Sequence, residues 1–284
     1  MKYFCENAPQ YHIACAGSLL GIALANPTSF LVGKVNFMQI APMTFEEFLL
    51  ANGDDNLAAF LESLDTIEPI PDAFFNTLYK KLKMYYVTGG MPKSVLMWTK
   101  ARDVPAMQET LQRLVDARLM HKIYRSSAPG LPVAAYDDLS AFKIYLVDVG
   151  LLRRLAHLAP TAFGEGSRLF TEFKGALTEN YVLQTLVTQF EVVPRYWTQT
   201  NPPYEVDFLI QRENDIFPVE VKSETNITSK SLKKFKELFP DQVKLRVRFS
   251  LDNLKLDGVM LNIPLFMAGQ ADRLIGLALQ QRYN

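Results

Sequence analysis

Helices and strands intermixed along the whole chain predict an α/β fold, and three observations carry that prediction. Hydrophobic residues make up 49% of the 284 and charged residues 21%, so the chain can bury a core and is too apolar for disorder. Some stretches repeat their apolar positions at helical spacing, while others alternate like strands. The two patterns interleave instead of segregating, as expected for layered α/β or α+β architecture. This length is room for two ordinary domains.

In chain order, Tyr11–Ala16 reads as a short strand, followed by a helical run from Leu19, and Val35–Ile40 alternates like a strand. Thr44 is set to cap a helix, with Glu47 completing a capping box and Phe45, Phe48 and Leu49 forming its apolar face. Leu57–Leu64 and Ala73–Tyr86 read as helices separated by Pro69 and Pro71. Gly89-Gly90 is a turn, and Pro92 suits the first turn of the next helix. Asp103 should cap a helix to about Leu119, and the Pro- and Gly-containing stretch Ser126–Asp138 is a loop and domain boundary. Phe142–Val147 is strand-like, with Gly150 in the following turn. Arg168–Phe190 is a long helix in which Gly175 should let the backbone approach the sheet. Val192–Trp197, Glu205–Ile210 and Ile216–Lys222 are β-rich, and Ser229 or Ser231 caps a basic helix ended by Pro240. Val243–Phe249 and Val259–Ile263 are further strands, and a last helix starts near Gln270.

Thirty basic and thirty acidic residues cancel, which excludes a protein that binds nucleic acid by bulk charge. Locally the balance breaks. Gln39–Phe75 holds eight acids and no Lys or Arg, whereas Lys222–Arg248 holds eight bases against three acids. Cys5 and Cys15 form no CxxC, so a reducing compartment is expected. The three histidines lack zinc-ligand spacing. No apolar run reaches a membrane span, and Glu6, Pro9, Gln10 and His12 oppose a signal peptide; a cytoplasmic protein is expected.

The chemistry concentrates in one stretch. Glu205–Ile210 and Ile216–Lys222, joined by a short polar link, read as a hairpin. With the turn centred on Glu213-Asn214, Asp207 falls across from Glu220, and Glu220 and Lys222 share a face. Two facing carboxylates destabilise a ladder unless Lys222 or a divalent cation lies between them. Glu179 interrupts the apolar stripe made by Leu183, Leu186 and Phe190, where a carboxylate costs several kcal/mol unless paired or ligating. Two readings stay open: a structural ion-pair network, or a site in which Asp207 and Glu220 hold Mg²⁺ (or Mn²⁺), Glu179 completes it and Lys222 positions water. Lys230, Lys233, Lys234 and Lys236 on the following helix would contact phosphates of DNA or RNA, or form a solvated face.

Glutamate on a helix, Asp207 on one strand and Glu220-Val221-Lys222 on the next resemble the PD-(D/E)xK nuclease-like fold, a restriction-endonuclease-like α/β domain. The resemblance extends further. Ala16–Gly21, Val32–Val35 and Ala41–Leu49 look like the later part of an AAA-type ATPase domain. Tyr86–Pro92, Phe142–Leu152, Leu177–Val182, Glu205–Phe208 and Pro218–Lys222 look like its C-terminal partner. From about Met1 to about Pro240 the chain resembles bacterial and archaeal ATP-binding proteins that carry the domain of unknown function 4143. That resemblance implies a partial ATPase domain over 1–60, a helical and remnant winged-helix region over 61–126, and a nuclease-like domain over 127–284. The family's GxxxxGK[ST] loop and acidic Walker B strand end are missing, since Gly33-Lys34 is followed by Val35. The expectation is therefore a truncated member that binds no ATP alone. It would act on nucleic acid with Mg²⁺, or else serve as a non-catalytic module that binds a protein such as an intact ATPase.

Overall fold

The computed structural model describes residues 6–8, 10–12, 14, 40–101, 120–160, 168–223 and 229–283. Contacts divide the chain into Met1–Ile40 and Ala41–Asn284. The expected strand and helix near residues 11–35 and the helix over 103–119 lie outside the described residues, apart from isolated positions. Among the described residues of the second unit there are eight α-helices and an eight-stranded sheet, so the chain is mixed α/β.

The helical stretch forms as its local signals dictate. Helix α1 (Phe45–Ala51) carries the full capping box: Glu47 N–H donates to the Thr44 hydroxyl at 3.2 Å, and Thr44 N–H to the Glu47 carboxylate at 2.7 Å. Phe45, Phe48 and Leu49 are fully buried. Helices α2 (Asp55–Ser63) and α3 (Asp72–Thr88) flank the two prolines, and α4 (Pro92–Ala101) starts on its proline.

Strands β1 (Met120–Ser126) and β2 (Asp137–Leu146) form an antiparallel pair. Polar His121, Lys122 and Arg125 hide β1 from a hydrophobicity pattern. The loop between them therefore connects two paired strands, and its Val133 N–H donates to Gln211 at 2.9 Å. Gly150 lies inside helix α5 (Val149–Leu155), capped by Asp148, and not in a turn. A Cβ there would stand 2.8 Å from the Gly89 backbone, so the helix needs glycine for the close approach.

Helix α6 (Arg168–Leu186), strands β3 (Arg195–Gln199), β4 (Tyr204–Arg212) and β5 (Asp215–Val221), helix α7 (Lys230–Leu238) and strand β6 (Arg246–Ser250) follow in order. β3, β4 and β5 form an antiparallel meander, and α7 crosses over to β6, which runs parallel to β5. β7 (Lys255–Asp257), β8 (Met260–Pro264) and α8 (Ala271–Tyr283) complete the chain. The sheet order is β2-β1-β3-β4-β5-β6-β8-β7.

Strand alternation sorts the side chains into two cores. Phe208, Ile210, Phe217 and Val219 pack with Leu177, Tyr181 and Leu183 of α6, in a core shared with α1, α3 and α8. Leu209 and Ile216 pack on the other side with Leu232 and Phe235 of α7, and each large apolar side chain buried there contributes about 2–3 kcal/mol. Gly175 is a correction: a Cβ there would meet nothing within 4 Å, so that glycine does not serve close packing.

Candidate functional site

The β4–β5 hairpin turns at Glu213-Asn214, with Arg212 paired to Asp215 and Glu213 at φ 52°. Side chains at such a turn need positive φ, which polar residues tolerate best. The ladder runs back to Phe208–Val219 and stops one pair short of Asp207 and Glu220. A bulge explains the stop. Arg195 pairs with Leu209 but Trp197 with Val206, so β4 carries one extra residue in between. Val206 consequently packs on the α7 side and Phe208 on the α6 side, although they are two residues apart. The hairpin register is the expected one, and the next pair along it, Asp207 with Glu220, lies just beyond the end of the ladder, at the bulge.

Asp207 sits at that bulge. Its Oδ2 accepts the Val221 N–H at 2.7 Å, which holds the carboxyl between β4 and β5. Burial, then the negative charge of Glu179, pushes its pKa up to about 7, against the Val221 hydrogen bond and the charges of Lys143 and Lys222. Glu179 is satisfied despite its place in the apolar stripe. It accepts from the Tyr145 hydroxyl and, at 3.1 Å, from Lys143 Nζ. Lys143 also donates to Glu205. Burial works against the Lys143 ammonium, yet Glu179, Glu205 and Asp207 outweigh it and raise its pKa. Repulsion from Glu179 adds to burial in raising the Tyr145 phenol.

Glu220 alternates between Val219 and Val221, both of which pack toward the α6-side core, and so it faces the other side. Its side chain is only 5% exposed and lies 3.0 Å from Lys222 Nζ. The second carboxylate oxygen, Oε2, is buried without a hydrogen-bond partner. Arg248 is level with Glu220 on β6, and its Nε donates to Asn262 at 2.8 Å. The structure therefore brings Glu179 and Asp207 together, and Glu220 with Lys222; Asp207 joins the two pairs through the Val221 amide and the Lys222 charge. Among the described residues no three His, Cys, Asp or Glu side chains are arranged to hold a metal ion.

Lys143 and Tyr145 are absent from the sequence-derived set. A hydrophobicity rule would turn Phe142 and Ile144 inward, but these are 48% and 51% exposed, and their polar neighbours face the core. The signal that points to them is Glu179 itself, because a carboxylate in an apolar stripe demands a cationic or hydroxyl partner.

The basic helix divides. Lys230 and Lys233 are exposed. Lys234 pairs with Glu237 at 3.3 Å. Lys236 donates to the carbonyls of Pro240 and Val243, closing the turn after the helix, and is committed to structure.

Motifs elsewhere meet at a buried joint. Asp148 caps α5 through the Leu151 N–H and also accepts the Gly90 N–H. Gln184 of α6 donates to the Tyr85 hydroxyl at 2.7 Å, and that hydroxyl donates to the Met43 carbonyl. Buried Arg153 donates from Nε to the Val87 carbonyl at 3.0 Å. This joint locks α3, α5 and α6 together and sets the height of α6, and hence of Glu179, over the sheet.

Among the described residues no helix is long and apolar enough to cross a membrane. No curated protein and no solved structure matches the chain. The stretch bearing Glu179, Asp207, Glu220 and Lys222, residues 174–266, matches a domain of unknown function, DUF4143.

Proposed function

We propose that the region matched at 174–266 is a nuclease-like module that engages nucleic acid and binds Mg²⁺ or Mn²⁺ through Asp207 and Glu220. The observation that carries this reading is the buried, unpartnered Oε2 of Glu220 beside Lys222. A buried carboxylate oxygen without a donor is costly, and a cation relieves that cost. Mg²⁺ commonly takes one or two carboxylates and keeps its remaining waters, so a site of this kind needs no all-protein cage. The order α6–β3–β4–β5–α7–β6, a meander followed by a crossover to a parallel strand, supports a restriction-endonuclease-like core.

Bound metal would acidify a water and offset charge on a phosphate. Lys222, beside Glu220, would orient that water, and Glu179, held by Tyr145 and Lys143, adds negative charge next to Asp207. Lys230 and Lys233 hold a phosphate backbone without reading bases. The resemblance to AAA-type ATP-binding proteins supports a working context beside an intact ATPase partner, with no ATP site on this chain.

A second reading, a non-catalytic interaction module on a degenerate nuclease fold, is favoured by Glu220 facing away from the Glu179–Asp207 pair and by Lys143, which already neutralises Glu179 and Glu205. Calorimetric titration with Mn²⁺, with Asp207→Asn and Glu220→Gln as controls, together with metal-dependent cleavage of a DNA and RNA panel, separates the two. Metal binding lost in both variants supports the first reading. Neither metal binding nor cleavage by the parent supports the second.

A further inference from the structure

We propose that the solvent-exposed face of β1 and β2 is a stacking platform for single-stranded nucleic acid. The inference rests on nucleic acid being the substrate in the reading above, and it locates a binding surface outside the matched residues 174–266.

The face is built by register. Tyr124 pairs with Phe142 and Lys122 with Ile144, so these four side chains share one side of the strand pair. Ile123 and Tyr145, which alternate with them, are buried in the α6-side core. Phe142 is 48% exposed. Lys122 Nζ stands 4.1 Å from the Phe142 ring centre and 4.6 Å from that of Tyr124, and the two rings meet edge to face at 6.5 Å. Two rings and an ammonium therefore form one cluster, in which Phe142 and Lys122 are exposed and Tyr124 is half-buried.

Its neighbours place it on the same side of the sheet as the basic helix. Arg125 is level with Tyr196 in the parallel β1–β3 pair. Tyr196 packs in the α6-side core and Trp197 under α7, so Tyr124 and Lys122 fall on the α7 side of the sheet. Exposed Lys230 and Lys233 stand on that side too. The acids of β2 do not oppose a polyanion, because Asp137 is paired with Arg195 and Asp138 with Arg125.

These features select the occupant. Solvent-facing ring surface shared with a mobile lysine calls for a flat π surface, and the lysines call for repeated negative charge; unpaired nucleotides supply both. In a duplex each base face is already covered by its neighbours, so the platform discriminates against double strands. Cation–π pairing keeps Lys122 beside the rings, where one nucleotide can use both at once.

The test is fluorescence anisotropy without divalent metal, using a labelled oligothymidylate of about fifteen nucleotides and a hairpin duplex of equal length. Tyr124→Leu and Phe142→Leu, which keep the face apolar, should each weaken single-strand binding about tenfold and leave duplex binding unchanged. Lys122→Gln should flatten the salt dependence by a slope of about 0.7. Thermal midpoints are read first, and where a leucine variant fails to fold, Lys122→Gln alone decides the outcome. Ring variants that bind like the parent, or a parent that binds no oligonucleotide, overturn the proposal. A parent dimer in sedimentation that the ring variants dissolve also overturns it, and assigns the face to a second copy. These variants leave Asp207 and Glu220 untouched. Metal-dependent cleavage that ignores the rings would sink the platform and keep the proposed function; ring-dependent binding without any metal binding would do the reverse.

Discussion

Replacing Gly89 by alanine tests whether the joint between α3 and α5 is as tightly built as its geometry states. Gly89 stands at φ 71°, ψ −175°, a backbone region reserved for glycine, and a side chain there costs about 1–3 kcal/mol. The added Cβ would also lie 2.1 Å from Asp148 Oδ1. That carboxylate cannot swing away freely, because it accepts the Leu151 N–H at 3.1 Å and the Gly90 N–H. Losing one such charged hydrogen bond costs about 1.5–3 kcal/mol. The two effects together come to about 2.5–6 kcal/mol, a large share of the 5–15 kcal/mol or so that holds a typical domain folded. Gly53 is the matched control. It has φ 76° but nothing within 4 Å of the added Cβ, so Gly53→Ala should cost only about 1–2 kcal/mol. Urea unfolding followed by circular dichroism gives both values, with the midpoint read at constant slope. Should Gly89→Ala cost no more than Gly53→Ala, the Asp148 clash is not real and the joint is loose enough to admit a methyl group.

Asp148 itself has a signed pH dependence. Burial pushes its carboxyl from 3.8 up to about 6, so the folded state keeps a proton that the unfolded state has released. Parent stability relative to Asp148→Asn should therefore fall by about 3 kcal/mol between about pH 4 and pH 6 and stay flat above; a rise over that window would refute the assignment. Asp207→Asn and Glu220→Gln should each abolish calorimetric Mn²⁺ binding, whereas Lys230→Gln should leave it intact; equal heats in all three would remove the metal site. Lys236→Met should lower the thermal midpoint by breaking the turn at Pro240 and Val243, while Lys230→Glu with Lys233→Glu should weaken nucleic-acid binding alike for all sequences. Saturable micromolar ATP binding by this chain is not expected, since no glycine-rich loop offers a nest of N–H groups to the phosphates.

Local signals were enough for much of the frame. Thr44 and Glu47 announce α1 because a capping box satisfies two otherwise unpaired amides within four residues. The prolines at 69 and 71 separate α2 from α3, and the Glu213-Asn214 turn follows from two β-rich runs with a short polar link. Asp207 and Glu220 were likewise legible on their strands, with Lys222 just past the end of β5, and Glu179 stood out as a charge in an apolar stripe. Tertiary structure decided how these groups meet. The bulge between Val206 and Leu209 depends on β3 pairing with β4, a contact between segments whose register no single-strand pattern encodes, and it falls at Asp207. Lys143 and Tyr145 reach Glu179 only because β1 and β2 join the same sheet, turning Phe142 and Ile144 outward against their hydrophobicity. Lys236, which by sequence resembles any other lysine of the basic face, is taken up by two carbonyls that the fold alone brings within its reach. Periodicity and capping act over a few neighbouring residues and are written locally, whereas burial, pKa and partner choice depend on residues far apart in the chain, and those were settled by packing.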